Sequence, residues 1–233
     1  MRVNVLSSLD QNFDHHLAQP EQIRTLIMSV NDEIFSVRNL AVSILGRLIA
    51  HNPAYVMPPL RKTLIQLLTD LEYSGIGRQK EESVQLIASL IASSSIFVKP
   101  YVEPILKVFV AKLDDPNSNL TAKLLLAVGE LSLIDGQCFK AYLDTLFPLI
   151  MEALVDQSNP NRREAALRSM GQIVGSTGWV IEPYLKYPAL LTTILSIVRT
   201  EQNTRIRQEA VKCLGIIGAL DPYKYKVIFP IFY

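Results

Sequence analysis

RNLAVSILGRL (38–48) decides the fold, because its pattern returns four more times along the chain. Within it Gly46 follows Leu45, with Val42 four residues before and Leu48 two after, so one apolar stripe runs at helical spacing. Ala88, Gly129, Gly171 and Gly215 fill the place of Gly46, at intervals of 42, 41, 42 and 44 residues. The preceding residue is always apolar (Ile87, Val128, Met170, Leu214). Val84, Leu125, Leu167 and Val211 recur four before, and Leu90, Leu131, Ile173 and Ile217 two after. A fixed period carrying a helical stripe marks a repeat array.

A second register precedes each stripe: Pro59-Leu60, Pro104-Ile105, Pro148-Leu149 and Pro188-Ala189. Proline suits a first helical turn, where its missing N–H has no partner to lose. LRKTLIQLLTDL (60–71) and LIMEALVD (149–156) then space their apolar residues three and four apart, so each unit is two helices. Helix pairs of about 40–47 residues indicate HEAT or armadillo units rather than the shorter tetratricopeptide or ankyrin ones. A basic residue eight before the small one, at Arg38, Lys80, Arg163 and Arg207, favours HEAT; Thr121 breaks that pattern in the third unit.

The expected fold is therefore an all-α solenoid of about five HEAT-type helix pairs over 1–227. The units fall roughly at 17–51, 58–95, 103–135, 147–178 and 187–220, and an apolar tail follows at 228–233. At 49% hydrophobic and 19% charged, 233 residues suffice for such a core. Five stacked layers make a curved rod on the order of 50 Å long.

The small residue has a structural task at the second helix's closest approach to the next unit. Leucine at Gly171 or Gly215 is expected to overpack that contact, and alanine to be mild. Gly171-Gln-Ile-Val-Gly175-Ser-Thr-Gly178 lacks the lysine of a phosphate-binding loop, and Gly175 and Gly178 read as the end of a helix. His15, His16 and His51 have no metal-ligand spacing, and Cys138 and Cys213 read as isolated core residues in a reducing compartment. The sequence thus offers no catalytic, cofactor-binding or metal residue.

With 23 basic and 22 acidic residues, no broad phosphate-binding face is expected, and nucleic acid is an unsuitable partner. The longest apolar run, VQLIASLIASSSIFV (84–98), reads as a buried second helix and a Ser-rich turn, not a membrane span. Gly77-Arg78-Gln79-Lys80 and Asn161-Arg162-Arg163-Glu164 are helix starts whose basic groups reach acids of the adjacent repeat; the alternative is a partner-facing ridge. Arg163 and Arg207 are expected to pair this way, with Asp156 and Glu201 nearest by sequence. Trp179 and Tyr184, around Glu182-Pro183, are expected to lock a turn.

HLAQPEQIRTL (16–26), NPAYVMPPLRKTLIQLLTDLEYSGIGRQKEES (52–83), KPYVEPILKVFVAKLDDPN (99–117), GWVIEPYLKYPALL (178–191) and RTEQNTRIRQEAVKCLGIIGALDPYKYKV (199–227) together resemble the target of rapamycin kinase family. The resemblance is to its HEAT-repeat region, upstream of the FAT and kinase domains. NSNLTAKL (117–124) and the end at 228–233 depart from the family pattern, so the chain is expected to be a fragment or an incomplete gene model with an exposed apolar tail. The resemblance implies a segment of a cytoplasmic serine/threonine kinase, also found at endolysosomal or vacuolar membranes, that assembles with Raptor-like or Rictor-like subunits. ATP and Mg would belong to a kinase domain of which this sequence has no Gly-rich loop, catalytic-loop Asp or Asp-Phe-Gly. Two other readings remain. One is a free-standing HEAT adaptor, such as a transport receptor or phosphatase scaffold. The other is an enzyme with a concave site, for which the inner helices show mainly Gln66, Lys107, Glu152 and Thr193.

Overall fold

Apolar residues spaced three and four apart need a second layer to cover them, and the chain supplies it by folding back every 15 to 20 residues. The computed structural model describes residues 1–217, and among these every regular element is helical. The helices are α1 (Arg2–Ser8), α2 (Asp14–Leu17), α3 (Pro20–Ser29), α4 (Phe35–Leu48), α5 (Pro53–Tyr73), α6 (Gly77–Ser93), α7 (Ser95–Val98), α8 (Val102–Lys112), α9 (Ser118–Ile134), α10 (Gly136–Phe139), α11 (Leu143–Val155), α12 (Pro160–Thr177), α13 (Glu182–Lys186), α14 (Ala189–Thr200) and α15 (Thr204–Ile216). Residues 218–233, including the expected end of the fifth unit and the apolar tail, lie outside the described residues.

Five antiparallel pairs form the array: α3 with α4, α5 with α6, α8 with α9, α11 with α12, and α14 with α15. Between them runs one continuous core, in which Phe97, Phe109, Phe139 and Phe147 are fully buried. The second helices lie closely on one another, α4 on α6, α6 on α9, α9 on α12 and α12 on α15, whereas the first helices touch sparingly. The closer-packed layer is the inner side of the curve. Gln66, Lys107, Glu152 and Thr193, expected on inner helices, therefore belong to the outer layer, on α5, α8, α11 and α14. The small residues, which permit close approach, are on the second helices, and that sets which layer is inside.

A Cβ on Gly129 would stand 2.9 Å from the Cα of Ser169 on α12, and one on Gly46 would stand 2.7 Å from the Cβ of Ser93 on α6. Gly171 is looser, its nearest contact being Ile216 Cδ1 at 3.3 Å, and Gly215 meets nothing within 4 Å among the described residues. The small-residue register thus marks helix contacts, but the tightest lie earlier in the chain than Gly171 and Gly215. The orphaned Oε1 of Gln172 rests over Gly129, 2.2 Å from where a Cβ would be.

The prolines require a correction. Pro59 and Pro148 are not first-turn residues but lie inside α5 and α11. Asn52 starts α5, its side chain accepting from the N–H of Tyr55, with Pro53 in the first turn. α8 and α11 are entered through an elbow: α7 followed by a 3-10 turn at Lys99–Tyr101, and α10 followed by one at Lys140–Tyr142. Before α11 that elbow supplies the first turn and leaves Pro148 inside the helix, whereas Pro104 stays in the first turn of α8. Gly178 (φ 74°) ends α12 in the left-handed conformation, whereas Gly175 is within the helix.

Candidate functional site

The turns inside each pair line up along one edge of the array, and each is built around a residue that accepts from a backbone N–H two positions on. Asp32 accepts from Ile34 at 2.9 Å, Ser74 from Ile76 at 3.1 Å, and Asp115 from Asn117 at 3.0 Å. Asp156 accepts from Ser158 at 2.9 Å and Glu201 from Asn203 at 3.2 Å. Asn117, Asn159 and Asn203 then cap the second helices that follow. Each acid keeps its second oxygen for a cation, which the preceding repeat supplies at Asp115 and Glu201, Arg2 of α1 at Asp32, and Arg162 of the same repeat at Asp156.

Lys80 reaches Asp115 at 2.9 Å and Arg163 reaches Glu201 at 2.6 Å, both spanning two repeats. In the second unit the turn residue is Ser74, which carries no charge, and Arg38 reaches past it to Glu82 at 2.6 Å. In the third unit Thr121 is buried and donates only to the Ser118 carbonyl, so Asp156 receives nothing from the repeat before it. Arg162 of its own repeat serves instead, at 3.1 Å. Arg163 does pair with the neighbouring repeat as expected, but its partner is Glu201 and not the sequence-nearer Asp156. Arg163 does not pair with the Asp156 carboxylate, because it donates to that residue's backbone carbonyl at 2.9 Å. Arg207 forms no ion pair among the described residues. The basic clusters at the helix starts are thus largely consumed between or within repeats, and the edge offers no free cationic ridge at Lys80 and Arg163.

A double-mutant cycle on Arg163 and Glu201 should return a coupling of about 1 kcal/mol, since the pair is mostly but not fully buried. The cycle on Arg163 and Asp156 should return none through the carboxylate. Reversal of these two results would displace the assignment of the rungs.

The same acids set the response to pH. A hydrogen bond from the Ser158 hydroxyl does most to hold the Asp156 carboxyl down at about 2, against burial and with help from the Ser158 N–H and Arg162. Lys123 lowers Glu81 and Arg163 lowers Glu201. A folded-state pKa below the unfolded one contributes stability that is present above about pH 4 and lost as pH falls through the folded value. The melting temperature should therefore hold down to about pH 4 and drop between about pH 4 and pH 2. A flat profile there would contradict it.

The other sequence candidates are structural. His15 and His51 meet edge to face at 4.7 Å, and no group of three metal-ligating side chains forms among the described residues. Burial pushes the Cys213 thiol up to about 12, which keeps it protonated and unreactive. Cys138 is only half-buried and donates to Asp135. Trp179 packs edge to face on Phe147 at 4.7 Å, tying the elbow before the fifth repeat to the fourth, and Tyr184 donates to the Ile217 carbonyl at 2.8 Å, tying that elbow to the end of α15. No single described helix is long and apolar enough to cross a membrane; α6 and the segment after it pass on length and composition only as a pair bent by 114°.

The array is similar in fold to the crystal structure of Kap121p, with a TM-score of 0.66 at 16% identity over 84% of this chain and 19% of that one. It is also similar to an engineered protein, with a TM-score of 0.64 at 16% identity over 94% and 98% of the two chains. At that identity the likeness concerns the solenoid alone. Sequence carries further. A family profile described as the serine/threonine-protein kinase mTOR domain matches residues 180–230. Over 228 residues, 98% of its length, the chain is 46% identical to serine/threonine-protein kinase TOR2 of Saccharomyces cerevisiae. The chain belongs to the target of rapamycin kinase family. It is 46% identical over 226 residues to serine/threonine-protein kinase tor1 of Schizosaccharomyces pombe, and 42% over 231 residues to serine/threonine-protein kinase mTor of Drosophila melanogaster. This target of rapamycin chain spans 9 to 10% of the length of those relatives.

Proposed function

We propose that this chain is a non-catalytic HEAT-repeat scaffold segment of a target of rapamycin kinase, supporting assembly with Raptor-like or Rictor-like subunits in nutrient and growth signalling. The observation that supports it is colinear identity through almost the whole chain to relatives named as kinases, of which it matches about a tenth. The side chains agree. The ionisable groups at the repeat junctions are spent on inter-repeat and intra-repeat bonds, which stiffen an array but perform no proton transfer. On this reading the segment takes no cofactor, and ATP and Mg bind in a kinase domain outside it. It acts in the cytoplasm and, through its complexes, at endolysosomal or vacuolar membranes.

A kinase assay on the isolated chain is expected to give no phosphoryl transfer, and deletion of this segment from a full-length parent kinase is expected to reduce recovery of the Raptor-like or Rictor-like subunit in the purified complex. Activity in the isolated chain, or full recovery of both subunits after deletion, would overturn the scaffold reading.

A further inference from the structure

The third repeat is unlike the others on the inner face. Three residues before the small position the units carry Ser43, Gln85, Leu126, Arg168 and Lys212, so only the third is apolar. Four residues after it, Ala50, Ala92 and Gly175 stand where the third repeat has Leu133. Leu126 and Leu133 are 37% and 57% exposed and lie two turns apart on α9, about 10 Å along its axis. Beside them, at the elbow after α6, Ile96 is 81% exposed where the next elbow has Gln137. Ile96 and Leu133 border a cleft of about 490 Å³ between the ends of α6 and α9, floored by Ile91 and Ile134. Large aliphatic side chains exposed together at positions that sister repeats keep polar or small mark an interaction surface, not a core.

We propose that this ridge and cleft dock an amphipathic helix of a partner protein whose apolar stripe is flanked by acidic residues. The apolar spacing on α9, seven residues, matches the i, i+7 anchors of such a helix. Charge selects the flank. Glu130, between the two leucines, is already held by Arg168 at 2.8 Å and Gln172 at 2.9 Å, and Lys123 by Glu81 at 2.7 Å. The Asp135 carboxylate is taken up in starting α10. Lys99 at the rim of the cleft, and Lys140 at the equivalent elbow position one repeat on, are exposed and form no ion pair among the described residues. The margin therefore presents positive charge to a partner, which favours acidic flanks.

The test uses the 233-residue chain and a fluorescent synthetic 20-residue helix with leucines at i, i+3, i+4 and i+7 and glutamates on both flanks, read by anisotropy. The paired substitutions Leu126→Gln and Leu133→Ala install the residues of the second repeat and should weaken binding at least about tenfold. Ile96→Gln, which copies the next elbow, provides an independent variant should that pair disturb helix content. Lys99→Glu, or a peptide with lysine flanks, should each weaken binding severalfold. Equal affinity for the parent and both apolar variants would overturn the docking site, and undiminished binding of the lysine-flanked peptide would overturn the choice of partner. A chain that sediments as a dimer and becomes monomeric on Leu126→Gln with Leu133→Ala would assign the ridge to a second copy, also against the proposal. This inference deepens the scaffold reading, yet the two fail separately: phosphoryl transfer sinks one, indifferent peptide binding the other.

Discussion

Phe147→Ala should cost about 3–5 kcal/mol of stability, the range for deleting a fully enclosed aromatic side chain. Phe147 is fully buried in α11, with Trp179 edge to face at 4.7 Å and Tyr187 stacked at 5.5 Å, so one ring joins the fourth repeat to the elbow that starts the fifth. Because Trp179 is the one tryptophan of the chain, its fluorescence reports on that joint directly. The variant should show a red-shifted emission before any denaturant is added, together with a lower unfolding midpoint. An unchanged spectrum and a loss below about 1 kcal/mol would mean that the fifth repeat is held by something other than this aromatic cluster.

The second large effect concerns glycine. A Cβ on Gly136 would stand 2.4 Å from the backbone oxygen of Ser176, which cannot swing away, so Gly136→Ala should cost about 1–3 kcal/mol although it adds a single methyl group. Gly129→Leu, which drives a branched side chain against the backbone of Ser169, should cost at least as much. Gly171→Ala and Gly215→Ala should stay near neutral, since their nearest neighbours are a side-chain methyl at 3.3 Å and open space among the described residues. Chemical denaturation of the four variants decides the matter, and equal midpoints across them would remove the close-contact account.

The helix-pair period, the layer count and the place of the small residues were legible because a solenoid writes its contacts at fixed intervals. What was not legible depended on objects the period does not encode. The elbows α7 and α10 are four residues long, too short for a periodic signal, and Pro148 after the second of them looked like a helix start. The partner of Arg163 was placed at Asp156, the acid nearer in sequence, whereas the layer spacing brings Glu201 of the next repeat within 2.6 Å. The inner layer was misassigned for want of the rule that glycine marks the side where helices touch. The exposed Leu126 and Leu133 of the third repeat were not singled out, because an apolar residue at helical spacing does not by itself tell an outward stripe from a core one.

Thr121 has a mechanical meaning. Lys80 and Arg163 tether their repeats to the next across water-accessible charge, and Arg38 does so through Glu82; such tethers slacken as salt screens them. The junction after the third repeat has no such tether at that edge; Gly129 against Ser169 and Gly136 against Ser176 clamp it, as Gly46 against Ser93 does the first junction, and its ion pair, Arg168 to Glu130, lies away from that edge. The array is therefore a rod of uneven compliance. In concentrated salt the edge loosens at the first, second and fourth junctions and not at the third, so the cleft between α6 and α9, which lies across the second junction, is on the side of the array that yields.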